Sequence, residues 1–328
     1  MEYTTLGSTG MTVSRICLGC MSFGTEPAWT LDPDESQELV DRAIELGINF
    51  FDTANVYSNG ESEEILGEAL SEYDRDELVV ATKVFGEMDP DNPNAQGLSR
   101  KAIEQELENS LERLGMETID LYQIHRWDDD TSIDETLRTL DDAVRHNQVR
   151  YIGASSMWAH QFADALQTSD LFDLERFVTM QNHYNLVYRE EEREMLPLCR
   201  TEGVGSIPWS PLARGYLARP HSEFLETSRG EFMNEDEIMS DRIANYRANG
   251  GEEINARVEE LADEKGVTMG QIALAWLLHQ DTVDAPIVGT TSIEHLEEAV
   301  EAVDIDLSDS ELEYLEEPYG PVSVDGHE

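Results

Sequence analysis

Residues 47–83 read GINFFDTANVYSNGESEEILGEALSEYDRDELVVATK. The apolar runs at 48–51 and 78–82 have strand length, and the stretch 61–70 between them reads as a helix. Two strands joined through a helix lie parallel in one sheet. The same alternation continues in both directions. Further strands are expected at 16–18, 119–124, 149–154, 177–182, 204–208 and 285–288. Helices are expected at 34–46, 99–114, 132–146, 158–166, 189–202, 251–265 and 292–303. In the helix at 99–114, Leu107, Leu111 and Leu114 recur on one face and Gly115 follows as a C-cap. Eight strands alternating with eight helices count to a (β/α)8 barrel; a doubly wound sheet is the second choice, since it requires no such number.

Outside this alternation, short strands at 3–6 and 12–15 flank Gly7-Ser8-Thr9-Gly10 and read as a hairpin. Two extra helices are expected at 269–279 and 308–317. The segment 212–249 is polar and weakly periodic, and reads as a long functional loop after the seventh strand. No low-complexity linker divides the chain, so residues 1–328 are expected to form one domain.

Composition narrows the partners. There are 70 Asp and Glu against 22 Lys and Arg, a formal net charge of −48. Such a surface repels nucleic-acid phosphates and anionic membranes. With 40% apolar residues in recurring runs, the chain has material for a full core and is not disordered. Only three basic residues are lysines: Lys83, Lys101 and Lys265. Acidic residues spread evenly along the chain suit a surface hydrated at molar salt, where the Debye length is about 3 Å. A halophile's cytoplasmic protein is the expectation, with an unusually acidic mesophile protein as the alternative. Three cysteines, Cys17, Cys20 and Cys199, form no disulfide framework and no paired metal motif. The N-terminus lacks the pattern of a secretory leader, and no run of 18 apolar residues is present.

In a barrel, reactive groups sit where strands end. Asp52 follows the strand at 48–51, Lys83 that at 78–82 and His125 that at 119–124, with Tyr57 one short loop beyond Asp52. A carboxylate, an ammonium, an imidazole and a phenol therefore converge on one rim. A free phenol is a poor acid at neutral pH, a neighbouring ammonium favours its phenolate, and a carboxylate balances the buried ammonium. An imidazole there can orient a carbonyl oxygen. This set suits proton delivery to a carbonyl while a hydride arrives from a cofactor.

Here the chain resembles the aldo-keto reductase superfamily over essentially its whole length. The matching segments are GINFFDTANVYSNGESEEILGEAL, VVATKV, DLYQIHRWD, VRYIGASSM, MQNHYNLVYR, PWSPLARGYL and PIVGTTSIEHLEEAV. It looks most like the members akin to aryl-alcohol dehydrogenases and potassium-channel β subunits. The resemblance implies a barrel binding NADP(H) without a Rossmann domain. It implies Tyr57 as general acid/base, Asp52 and Lys83 as its tuning pair, and His125 as the substrate-orienting group. It implies Ser155, Ser156 and Gln181 at the nicotinamide carboxamide, Trp209 stacked on the nicotinamide ring, and Gly19, Cys20 and Met21 nearby. Ser210, Pro211, Leu212, Ala213 and Arg214 would follow the pyrophosphate, and Gly289, Thr291, His295 and Glu298 the adenosine end.

The chain departs from the family's pattern at three points. Ser156 stands where Asn is frequent, and His295 and Ala299 where Gln or Arg and Asn are frequent. The usual cation for the adenosine 2′-phosphate is therefore missing from 289–300, leaving Arg219 and Arg229 as replacements. NADP(H) is the expected cofactor, with NAD(H) as the alternative. Phe23, Trp29, Trp127, Tyr57 and Tyr216, with His125, are expected around a small carbonyl or alcohol substrate. A slow-turnover NADP(H)-binding regulator of the same fold is the rival function; His125 favours the enzyme. A phosphate-binding isomerase barrel is a third reading, against which SPLARG argues.

Overall fold

The computed structural model describes residues 1–26, 29–224 and 237–327. The eight parallel strands are β3 (Cys17–Gly19), β4 (Phe50–Asp52), β5 (Val79–Val84), β6 (Ile119–Ile124), β7 (Val149–Ser155), β8 (Phe177–Gln181), β9 (Gly205–Ser206) and β10 (Ile287–Gly289). They pair in sequence order, and β10 returns to β3. The remaining seam is held by single bonds: Asp284 N–H donates to Ser206 O at 2.8 Å and Ile287 N–H to Pro208 O at 2.9 Å. The result is the (β/α)8 barrel expected from the count.

β1 (Tyr3–Thr5) and β2 (Thr12–Ser14) form the antiparallel hairpin. It plugs the end of the barrel where the strands begin. Leu6 and Val13 pack with Cys17, Phe50, Val79, Leu121 and Ile207 in one buried cluster. Gly7 N–H donates to the Asp284 carboxylate at 2.6 Å. That end is closed, so chemistry is confined to the other.

The outer helices are α1 (Pro33–Glu45), α2 (Glu61–Leu70), α3 (Arg100–Leu114), α4 (Ile133–Arg145), α5 (Ala159–Phe172) and α6 (Met195–Glu202). They continue with α7 (His221–Phe224), α8 (Glu237–Arg247), α9 (Gly251–Lys265), α10 (Met269–Leu278), α11 (Ile293–Glu301) and α12 (Asp309–Glu316). Their ends follow local chemistry. Ser99 caps α3 by accepting from Ala102 N–H, and Gly115 closes it at φ 63°, a left-handed conformation that suits glycine. No helix among the described residues is long and apolar enough to cross a membrane.

Three local expectations change. The segment 212–249 is not one irregular loop: it holds a 3-10 turn at Ala213–Ala218, then α7, then α8. The helix expected at 189–202 splits into a 3-10 turn, Glu190–Glu192, and α6. Pro197 falls in the first turn of α6, where its missing N–H costs nothing, so the helix starts afresh at Met195. The helix expected at 158–166 runs on to Phe172, where Asp173 adopts a left-handed cap at φ 54°.

Candidate active site

Strand alternation decides which groups reach the barrel axis. Along β5, Val79 and Ala81 join the interior cluster, whereas Val80 and Val84 pack into the layer beneath the helices. Side chains alternate in a strand, so Lys83 continues the inward row. Register places Lys83 beside Gln123, Asp52 beside Ala81 and Ser155 beside Gln181. Each inward row is apolar near the plug and polar at the open rim.

There the polar groups lock together. Lys83 Nζ donates to Asp52 Oδ1 at 2.5 Å, to Thr53 O at 2.7 Å and to the Tyr57 hydroxyl at 3.3 Å. The second Asp52 oxygen accepts from Gln123 Nε2 at 2.9 Å and Gln181 Nε2 at 2.8 Å. Lys83 is fully buried and Asp52 only 2% exposed. Burial alone would strip the Lys83 proton, but the charges and hydrogen bonds of Asp52 and Tyr57 outweigh it and raise Lys83 above its ordinary value. His125, whose N–H continues the β6 ladder to Val84 O at 2.9 Å, sets its ring edge-on to Tyr57 at 5.7 Å. Burial, then the charges of Lys83 and Arg126, hold its imidazole well below the usual range, so it is neutral at pH 7.

Tyr57 opens a tight turn, Tyr57–Gly60, in which Ser58 and Asn59 are left-handed at φ 47° and 53°. Gly60 ends it at φ 97°, and a Cβ there would meet Arg113 Cδ at 2.8 Å. Arg113 is itself tied to Glu63 of α2 at 2.6 Å. The turn is thus backed by a buried ion pair, which fixes the phenol over the ammonium, 4.7 Å from Nζ to the ring centroid.

Tyr57 and His125 line a cleft of about 500 Å³. Of the residues expected to contact a cofactor, Gly19, Met21, Asp52, Ser155, Gln181, Trp209, Ser210, Pro211, Leu212, Arg214, Arg219, Gly289, Thr291, His295 and Glu298 line it. The Trp209 ring stacks on His183 at 4.1 Å, and His183 on Tyr188 at 3.9 Å, while the Arg242 guanidinium also stands over the indole, 5.3 Å from its centroid. Burial lowers His183 to about 4, against the opposing pull of Asp325. Beside the cleft the backbone turns left-handed at Ser210, Ala213, Arg214 and Gly215, and the Ala213 and Gly215 N–H groups close this curl by donating to Ser210 O and Leu212 O, both at 2.9 Å. Arg219 Nε is buried without a partner. A cleft of this volume, lined by the Trp209 indole and by Arg219 with its unpartnered Nε–H, fits a nicotinamide dinucleotide.

Several expected residues lie elsewhere. Cys20 and Phe23 are fully buried in the main core, because the chain after β3 turns them inward and leaves Met21 at the cleft. The Cys20 thiol, pushed well up by burial, has no reactive character. Ala213 and Tyr216 are fully buried in a second core under α9 and α10. Ser156 accepts from Trp209 Nε1 at 2.9 Å and so positions the indole from behind. Trp127 packs against the main core, and Trp29 is 37% exposed. Arg229 lies outside the described residues. Conversely, the cleft gains Arg126, Arg242 and Gln271, and the rim network gains Gln123. Gln123 was legible in principle, two residues beyond Leu121 on the same inward-facing row of β6. Arg242 was not, because it sits in the segment read as a loop.

Comparison with known proteins agrees with this architecture. The aldo/keto reductase family model matches residues 15–319. The chain is 41% identical to a Schizosaccharomyces pombe protein assigned by name to the aryl-alcohol dehydrogenases, over 99% of this chain and 97% of that one. It is 41% identical to versiconal hemiacetal acetate reductase of Aspergillus parasiticus, over 99% of this chain and 98% of that one. An Alternaria alternata aldo-keto reductase is also 41% identical, over 99% and 93%. The chain belongs to the aldo/keto reductase family, oxidoreductases that act on small carbonyl or alcohol substrates with NAD(P)H.

Proposed function

We propose that this protein, as one barrel domain, reduces aldehydes and ketones to alcohols or runs the reverse, with NADP(H) preferred and NAD(H) accepted. The observation that carries this reading is the contact between the Tyr57 hydroxyl and a fully buried Lys83, itself clamped by Asp52. The neutral His125 donates a hydrogen bond to the substrate carbonyl oxygen and aims it at Tyr57. The Tyr57 phenol gives its proton to that oxygen as charge develops there, and the Lys83 ammonium stabilises the phenolate left behind. Asp52, fixed by Gln123 and Gln181, keeps Lys83 protonated and in place. Ser155 and Gln181 hold the carboxamide of the nicotinamide, Trp209 covers one face of its ring, and Ser210, Pro211, Leu212 and Arg214 follow the pyrophosphate. When bound, the reduced nicotinamide supplies the hydride. The test is oxidation of NADPH or NADH by 4-nitrobenzaldehyde in molar KCl. Tight NADPH binding with no turnover on a panel of aldehydes and ketones would replace this reading with that of a regulatory binder.

Cofactor preference turns on Arg219. The adenosine end carries Glu298 and no cation between Gly289 and Ala299, so Arg219 is the group proposed to grip a 2′-phosphate. Arg219→Ala is expected to weaken NADPH by about 1.5–3 kcal/mol, a charge-assisted hydrogen bond to phosphate, and NADH far less. Fluorescence titration with both nucleotides measures it. Equal losses would move Arg219 to the pyrophosphate.

A surface of net charge −48 further implies a fold that needs salt. At 0.01 M the Debye length is about 30 Å and charges across the whole barrel repel; at 1 M it is about 3 Å. The thermal midpoint at pH 7 is expected to rise steeply from dilute buffer to molar KCl; a flat curve would exclude the halophile reading. Mild acidification lowers the net charge but meets a limit. His183, held to about 4, binds its proton more weakly folded than unfolded. Its contribution is therefore complete above the unfolded value of about 6.5 and is lost as pH falls through that value towards 4.

A further inference from the structure

Arg126 follows His125 at the end of β6 and lines the cleft with it and with Tyr57. Its one hydrogen bond is from Nη1 to the His125 carbonyl at 2.6 Å. A guanidinium carries five N–H donors, and among the described residues no carboxylate lies within ion-pair reach of this one. Shortage of acids is not the reason, since the chain holds 70. Arg242, on the same cleft, is gripped by both oxygens of Asp325. Arg113 and Arg189 each hold two carboxylates. Asp325, the acid whose charge reaches Arg126, is spent on Arg242 and faces His183. Burial weighs against the charge on Arg126, and the Tyr57 oxygen is the first group to favour it. A half-buried guanidinium with spare donors and, among the described residues, no counter-ion is a receptor for an anion.

Its position says which anion. Arg219 and the stretch ending at Arg214 are assigned above to the cofactor's phosphates, whereas Arg126 directly follows His125 in the chain. Arg126 adjoins the two groups that meet the carbonyl. We infer that the substrate is a carbonyl compound carrying a carboxylate, and that Arg126 receives this carboxylate while Tyr57 and His125 take the carbonyl oxygen. The inference rests on the reductase reading above and narrows it to anionic substrates. It also gives an acidic protein a local means of drawing an anion into the cleft, since a buried charge is screened by salt less than a surface one.

The test pairs 4-formylbenzoate with its methyl ester. The ester withdraws electrons more strongly, so intrinsic reactivity favours the ester and a preference for the acid must come from the protein. In molar KCl with NADPH, wild-type kcat/KM is expected to be at least tenfold higher for the acid, mainly through KM. Arg126→Met should reduce the acid-to-ester ratio at least tenfold, and Arg126→Lys should recover part of it. A wild-type ratio near one overturns the inference whether or not the variants fold. An unchanged ratio in Arg126→Met also overturns it, as does a loss of NADPH affinity that falls equally on both aldehydes. If neither aldehyde is reduced with either nucleotide, the reductase reading fails and the inference with it; reduction of the ester alone removes only the inference.

Discussion

Tyr57→Phe is expected to lower carbonyl reduction by about 10²–10⁴-fold, the usual contribution of a positioned general acid, while nicotinamide binding stays close to wild type. The substitution removes one oxygen and leaves the ring on the Lys83 ammonium and edge-on to His125. No other group at the rim can replace the proton donor. Lys83 is spent on Asp52 and Thr53 O, and His125 is held neutral by burial. The measurement is single-turnover reduction beside nucleotide titration. A rate above about a tenth of wild type would be inconsistent with a dedicated acid of this strength.

Lys83→Met is expected to affect both activity and stability, for separable reasons. Removing the ammonium removes the charge that favours phenolate, so the pH–rate profile should move to higher pH and the neutral-pH rate fall about 10²-fold or more. It also strands Asp52, 2% exposed, without its cation. Breaking one partner out of a buried pair costs about 3–5 kcal/mol, which a shift in denaturation midpoint at constant KCl would register. Lys83→Met combined with Asp52→Asn should restore much of that stability, because no charge is then left unpaired, yet leave activity low. Recovery of both in the double variant would mean that the pair serves folding alone. An unchanged profile with full activity in the single variant would end the proposed coupling.

The architecture was readable because its signals are local. Apolar runs of strand length, helical periodicity, Ser99 and Ser292 at N-caps and Gly115 at a C-cap depend on neighbours within a few residues. Eight repeats of one unit then leave few ways to bury eight sheet faces. The strand-end rule brought out Asp52, Lys83 and His125 for the same reason: a residue's place at the end of a strand is a local property. The chain's own chemistry also pointed to Lys83, one of three lysines directly after an apolar run.

Tertiary structure decided which side chains face which others. Cys20 and Met21 are adjacent in sequence, yet one is core and the other lines the cleft, because the turn after β3 rotates successive side chains to opposite sides. Gln123 joins Asp52 across 71 positions, and Arg242 meets Asp325 across 83. Asp325, whose charge also reaches Arg126, is engaged in that second contact. Composition counts charges and periodicity assigns faces, but the pairing of a buried charge depends on distances that only the closed barrel sets. The sequence therefore determined the barrel and which groups stand at its strand ends, and the packed structure determined which of its cations are paired with carboxylates.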